Sequence, residues 1–256
     1  MGAMARLFYD ARAHRLGVAL RGYLLLFERR EPPAYSQIAG LRLLVIFVVL
    51  ELIVGPRTPA LDWLGLSPPA WLRVPALLAT SVLAVRLLAK VELADIGFLA
   101  WRQWTATEKL YFVQVVLLAN ALFIVTYGGQ LEGLRERHDV WPAALAIAAI
   151  EFLWGFYQEV NYRGILQTAL TRRFGSIRGP LAANVVFTFG PLHFYHFTAA
   201  RPWSSTALML SVVFCIGLFF SFIFQRTRNI WLVGTFHGIG NAYMNGATRI
   251  ADLLAY

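Results

Sequence analysis

Seven long apolar stretches run through this chain, at approximately residues 38–55, 74–89, 110–128, 141–169, 180–199, 205–225 and 229–248. A helix needs about 20 such residues to cross the roughly 30 Å hydrocarbon layer of a bilayer. In lipid every backbone N–H and C=O must be paired internally, so only helices and closed barrels can span. These stretches are continuously apolar and do not alternate with the period of two that a barrel strand needs, which points to helices. Charged residues make up only 14% of the chain and hydrophobic residues 58%, whereas a soluble domain carries about 25% charged residues. The expectation is an all-α polytopic transmembrane bundle of about seven to eight spans, formed by residues 34–256.

Residues 1–33 differ in character. Arg6, Arg12, Arg15, Arg21, Arg29 and Arg30 are interleaved with Leu7, Phe8, Leu16, Leu20 and Leu24, the pattern of a basic amphipathic helix lying on a membrane surface. Pro32 and Pro33 end it. No cleavable signal peptide is expected, because no small-residue cleavage site closely follows the first apolar run. The net charge of +9 does not indicate nucleic acid here. The basic residues sit between apolar segments and suit anionic lipid headgroups at the cytoplasmic face.

With the N-terminus cytoplasmic, Lys90, Arg102, Lys109, Arg172, Arg173, Arg178, Arg226 and Arg228 join the N-terminal arginines inside. Arg57, Arg73, Arg135, Arg137, Arg201 and Arg249 fall outside, and the positive-inside rule favours this orientation in a bacterial-type cytoplasmic membrane. The single cysteine, Cys215, excludes an intrachain disulfide and a Cys-rich metal site.

The spans contain side chains that hydrocarbon does not tolerate cheaply. An ionisable group at mid-bilayer costs at least about 2.5–3.5 kcal/mol, so such groups persist where they face one another or a wet cavity. Most of them lie in the last four apolar stretches: Glu151, Gln158, Glu159, Arg163, Asn184, His193, His196, His237 and Asn241. Glu159 and Arg163 are four residues apart and share a helix face, in the favourable order for an ion pair. Gln158 projects about 100° away from Glu159, towards the bundle interior. Gly190-Pro191 predicts a kink that frees a carbonyl just before His193. His237 and Asn241 also stand at i, i+4, with Gly238 and Gly240 allowing close helix approach.

Each feature alone has a structural reading: an ion pair, an interhelical hydrogen bond, a packing acid at Glu151, an interfacial role for His196. Together, a glutamate, two histidines and an asparagine on three late spans are the parts that activate a water and stabilise an oxyanion.

The ordered set Gln158-Glu159-x-x-x-Arg163-Gly164, Phe189-x-x-x-His193 and His237-x-x-x-Asn241 resembles the CPBP intramembrane proteases. That family includes the CAAX prenyl endopeptidases of the Rce type and the Abi relatives linked to bacteriocin immunity. Its pattern is Glu-Glu-x-x-x-Arg, Phe-x-x-x-His and His-x-x-x-Asn, and the resemblance covers about residues 141–245. It implies an intramembrane endopeptidase that hydrolyses a peptide bond in a membrane-associated or lipidated protein. By that resemblance Glu159, His193, His237 and Asn241 are the catalytic set, and Gln158 and Arg163 support them. His193 would help hold the water, and His237 with Asn241 would steady the tetrahedral intermediate. Glu159, His193 and His237 would also make a two-histidine, one-carboxylate zinc set, with His196 a further ligand; a metal-free mechanism is the expectation.

This chain departs from the pattern at Gln158, where the family has its first glutamate. An amide hydrogen-bonds a water but cannot take its proton. Glu159 takes the base role after a helix rotation, or the chain is a non-catalytic relative that binds peptide as an immunity or scaffold protein, or the glutamine is an introduced substitution. Glu151 shares the Gln158 face but lies about 10 Å away along the axis. A transporter would predict inverted repeats, and none is evident.

Overall fold

The structure is a computed structural model that describes residues 36–53, 69–198 and 202–254. The expected amphipathic helix at 1–33 lies outside the described residues.

Among the described residues there are eight α-helices: α1 (Gln37–Val48), α2 (Ala70–Ala84), α3 (Ala106–Leu131), α4 (Trp141–Glu159), α5 (Thr168–Phe189), α6 (Pro191–Thr198), α7 (Trp203–Thr227) and α8 (Ile230–Leu254). Among the described residues there is no strand. Wider π turns extend α1 through Val49–Ile53 and α2 through Val85–Ala89, and a longer π segment, Val160–Gln167, joins α4 to α5.

Local chemistry sets the helix ends. Ser36 caps α1, its side chain accepting from Ala39 N–H at 3.2 Å. Thr105 and Glu108 form a reciprocal capping box that starts α3, which satisfies two orphan N–H groups at once. Lys90 (φ 56°) closes the α2 extension in the left-handed conformation.

Four stretches are long and apolar enough to cross a membrane: Trp71–Ala89, Ala106–Arg135, His138–Phe194 and Trp203–Thr227. The all-α class and the integral membrane character therefore stand, with at least four candidate spans among the described residues. The third stretch is 57 residues long, which as one straight helix would reach about 85 Å. It does not run straight: Gly175 (φ 84°, ψ 175°) breaks it inside α5. In α8, His237, Asn241, Asn245 and Arg249 recur on a helical spacing. They dilute its hydropathy, and two of them belong to the candidate site.

The largest interface is between α4 and α8, and α3 packs on the other side of α8. Two glycines make the first contact possible. A Cβ on Gly155 would lie 2.8 Å from the His237 carbonyl, and one on Gly238 would lie 2.7 Å from the Phe152 ring. Gly240, also expected to serve close approach, meets only Phe123 at 3.9 Å, an ordinary contact. The seam thus presses the backbone of His237 directly onto α4, one turn before Glu159.

Gly97 (φ 101°) brings the loop after α2 to the start of α8, where its carbonyl accepts from Ile230 N–H at 2.9 Å. A Cβ there would sit 2.9 Å from the Ile230 nitrogen. Arg228 (φ 50°) turns the chain from α7 into α8 and donates to the Asp95 carbonyl at 2.9 Å and Thr168 Oγ1 at 3.0 Å.

Candidate active site

Glu159 ends α4 and begins the wider π turns, and all eight residues of Val160–Gln167 are buried. Short π segments inside α-helices mark functional sites often, because the extra residue re-aims the side chains on either side. Here the segment sends two polar side chains, Arg163 and Gln167, onto α7. Arg163 Nη2 donates to the Gly217 carbonyl at 2.9 Å, and Gln167 Nε2 donates to the Ser221 carbonyl at 3.0 Å.

The expected Glu159–Arg163 pair forms. Arg163 Nε lies 3.3 Å from Glu159 Oε2, and the two side chains are 1% and 0% exposed. The other carboxylate oxygen meets His237 Nδ1 at 2.7 Å. Because a carboxylate only accepts, Nδ1 carries the proton in this contact. One buried carboxylate thus joins α8 to the start of the π segment. The guanidinium has further support: its carbon sits 4.1 Å from the Phe187 ring centroid, a cation–π arrangement. Asn184 Oδ1 lies 3.5 Å from Nη2 while Asn184 Nδ2 donates to the Phe214 carbonyl at 3.0 Å.

Gly217 makes the room for this arrangement. A Cβ there would lie 2.0 Å from Asn184 Oδ1 and 3.1 Å from Arg163 Nη2. Gly217→Ala is expected to lower stability by about 1–3 kcal/mol, the usual cost of an overpacked core site. A thermal melt in detergent measures it, and an unchanged melting temperature would show that α7 can draw back.

His193 is positioned by the break before it. Gly190 is extended (ψ 173°) and Pro191 starts α6. Pro191 has no N–H to give to the carbonyl of residue 187, and His193 Nδ1 takes that place, 2.7 Å from the Phe187 oxygen. A carbonyl only accepts, so Nδ1 bears the hydrogen and Nε2 the lone pair. The anticipated kink is therefore a full break, and the carbonyl it frees selects the tautomer of the catalytic candidate.

The two histidines share one neighbour. The Phe187 ring centroid is 4.5 Å from that of His193 and 6.1 Å from that of His237. The aromatic expected at the site was Phe189, two residues later. Phe189 is instead half exposed and packs on Phe214 at 6.2 Å. The break at Gly190 resets the helical phase, so a motif counted along an unbroken helix selects the wrong ring.

The remaining candidates are distributed as follows. Gln158 is 3% exposed, and its Oε1 has no hydrogen-bond partner. Asn241 lies one turn beyond His237 on α8, half-buried, and no hydrogen bond links it to Glu159 or His237. Glu151 pairs away from the site, with Arg249 Nη1 at 2.5 Å and Asn245 Nδ2 at 3.3 Å. The His196 side chain lies outside the described residues.

The proposed zinc set does not fit the side chains as placed. The two Glu159 oxygens face Arg163 and His237. Among the described residues no three His, Cys, Asp or Glu side chains converge as a metal set.

Sequence reading passed over Phe187, Gly217 and the π segment. Only Gly217 left a signal, a lone glycine inside the apolar run of α7.

Fold and site together define an all-helical integral membrane protein with a buried carboxylate–histidine–arginine network. Residues 139–243 of the chain match the model of the Rce1-like family, described as type II CAAX prenyl endopeptidase Rce1-like, and Glu159, Arg163, His193 and His237 lie within the matched segment. No curated protein and no solved structure matches the chain. The matched family is one of proteases, and the chain has a CAAX-protease-like character to that extent.

Proposed function

We propose that the chain is an intramembrane endopeptidase that hydrolyses a peptide bond in a membrane-associated or lipidated protein. The observation that carries this reading is the convergence of His193 and His237 on one Phe187 ring, with Glu159 holding the second histidine.

In this reading His193 holds the attacking water through Nε2. The water oxygen adds to the scissile carbonyl carbon. His237 Nε2 and the Asn241 amide donate to the oxyanion that forms. Glu159 supports that donation by accepting from Nδ1–H, which fixes the ring, and it is the doubly protonated imidazole that donates through Nε2. Arg163 acts through Glu159, fixing its carboxylate in place. Positive-inside topology puts the N-terminus in the cytoplasm and bond cleavage near the cytoplasmic face, where anionic headgroups meet the basic loops.

The test uses the purified full chain in lipid nanodiscs with prenylated C-terminal peptides and single-span membrane proteins as substrates, product formation being followed by mass spectrometry. Cleavage supports the proposal. Cleavage that persists undiminished in the Glu159 and His193 variants described below refutes it.

A second reading rests on Gln158. A residue that cannot ionise, at the position where the resembling family has a glutamate, suits a protein that binds a membrane peptide without cutting it. Gln158→Glu separates the two. Proteolysis appearing only in that variant, with none in the natural chain, identifies a binder; an enzyme shows turnover in both.

A further inference from the structure

A cavity of about 390 Å³ lies away from the site described above. α8 packs on both α4 and α3, and the cavity runs between those two helices along α8. On each helix its lining begins and ends eleven positions apart: Asn120 to Leu131, Trp141 to Phe152 and Ile239 to Ile250. Eleven helical positions rise about 16 Å, so the cavity is a slot parallel to the helices. The short side chains of Ala144, Ala148 and Ala242 keep it open.

The two ends of the slot differ. At one end Trp141 Nε1 donates to the Leu134 carbonyl at 2.7 Å, and the adjoining loop carries Glu132, Arg135, Glu136, Arg137 and Asp139. A tryptophan beside a charged loop marks the membrane–water interface. At the other end Tyr243 Oη donates to Asn120 Oδ1 at 2.9 Å, and Asn120 Nδ2 donates to the Val116 carbonyl at 2.7 Å. Every polar side chain of the lining thus has a hydrogen-bond partner, and the rest of the wall is hydrocarbon.

A cavity of that chemistry does not hold water, and left unfilled it forfeits the dispersion contacts of its walls. Leu145, on its edge, is 63% exposed, so the slot opens sideways into the bilayer. The chains of one leaflet fill half of the roughly 30 Å hydrocarbon layer, about 15 Å. That depth matches the slot in length, in direction and in its start at an interfacial tryptophan.

We infer that the slot binds one acyl chain of a bilayer phospholipid, with the headgroup beside Trp141 and the chain end against Phe152 and Tyr243. Glu159 stands eighteen positions along α4 from Trp141, about 27 Å, so this lipid belongs to the leaflet opposite the one nearer the candidate active site. The Phe152 ring also presses on Gly238, the neighbour of His237. The chain end therefore backs the α4–α8 seam, and the bound lipid stabilises it. This holds whether or not the chain cleaves peptides.

The test uses the full chain purified in detergent, with dimyristoyl- or dihexanoyl-phosphatidylglycerol added. The long-chain lipid is expected to raise the melting temperature by about 5 °C or more at saturation, and the short-chain lipid, which cannot reach Phe152, to leave it unchanged. Ala148→Phe fills the slot and should lose the shift. Ala149→Phe adds the same ring on the exposed face of α4 and should keep it. An equal shift in the natural chain and both variants overturns the inference.

If Ala148→Phe does not fold, the natural chain is cross-linked to a phosphatidylglycerol carrying a diazirine at its chain end. Label is expected to concentrate on Phe152, Ile239 and Tyr243. Label spread evenly over the exposed residues of α3, Leu117, Leu118 and Val125, overturns the inference. A prenylated peptide that competes the label away assigns the slot to the lipid group of a substrate and overturns it as well.

Discussion

Glu159→Gln is expected to abolish turnover and to destabilise the protein by about 3–5 kcal/mol, the usual result of removing one partner of a buried ion pair. The Glu159 carboxylate is fully buried and touches two groups on different elements, Arg163 of the π segment and His237 of α8. The amide keeps the shape and loses the charge. Arg163, 1% exposed, then retains only neutral partners: the Gly217 carbonyl, the Asn184 amide and the Phe187 ring.

A thermal melt in detergent alongside the peptide assay reads both effects. The double change Glu159→Gln/Arg163→Met should be milder in stability than the single one, since replacing both partners leaves no uncompensated charge. It should remain inactive. A single variant that melts at the natural temperature would mean that Arg163 is held by its neutral partners alone.

His193→Ala is the second large effect, with a different signature. The side chain is partly buried, and its Nδ1 serves a carbonyl that Pro191 leaves without a helical donor. Removing the ring costs one hydrogen bond, about 1 kcal/mol, so the fold should survive. Turnover should fall by about 10²–10⁴-fold, the range for losing a positioned acid–base group. The loss should appear in kcat, because the imidazole acts on the water and not on the bound peptide. Stable protein with undiminished kcat would remove His193 from the mechanism.

Much of this site could be read along the chain, for a physical reason. In a bilayer every ionisable side chain is conspicuous, so Glu159, Arg163, His193 and His237 identify themselves by their cost. Helical spacing then joins Glu159 to Arg163, as the structure shows. What spacing could not reach was anything that depends on a change of phase. The π segment after Glu159, the reversal at Gly175 and the break at Gly190 each alter which residues share a face.

For that reason Phe189 stood where Phe187 belongs. The contact between Glu159 and His237 was also beyond reach, since 78 residues separate them and only the glycine-lined seam of α4 and α8 brings them together. In α8, His237 and Asn241 lower the hydropathy and are also candidate site residues, so chemistry and membrane insertion compete for the same helix.

The break at Gly190-Pro191 carries a consequence for how the imidazole behaves. In most helices a histidine ring exchanges its hydrogen between two nitrogens according to whatever happens to surround it. Here the amide hydrogen that ring closure removes at Pro191, two residues before the histidine, leaves the Phe187 oxygen to the imidazole, and so sets Nδ1 against the main chain and turns Nε2 away from it. A pyrrolidine that touches no reactant thereby decides the polarity of the reacting group, and acid–base character is inherited from backbone connectivity.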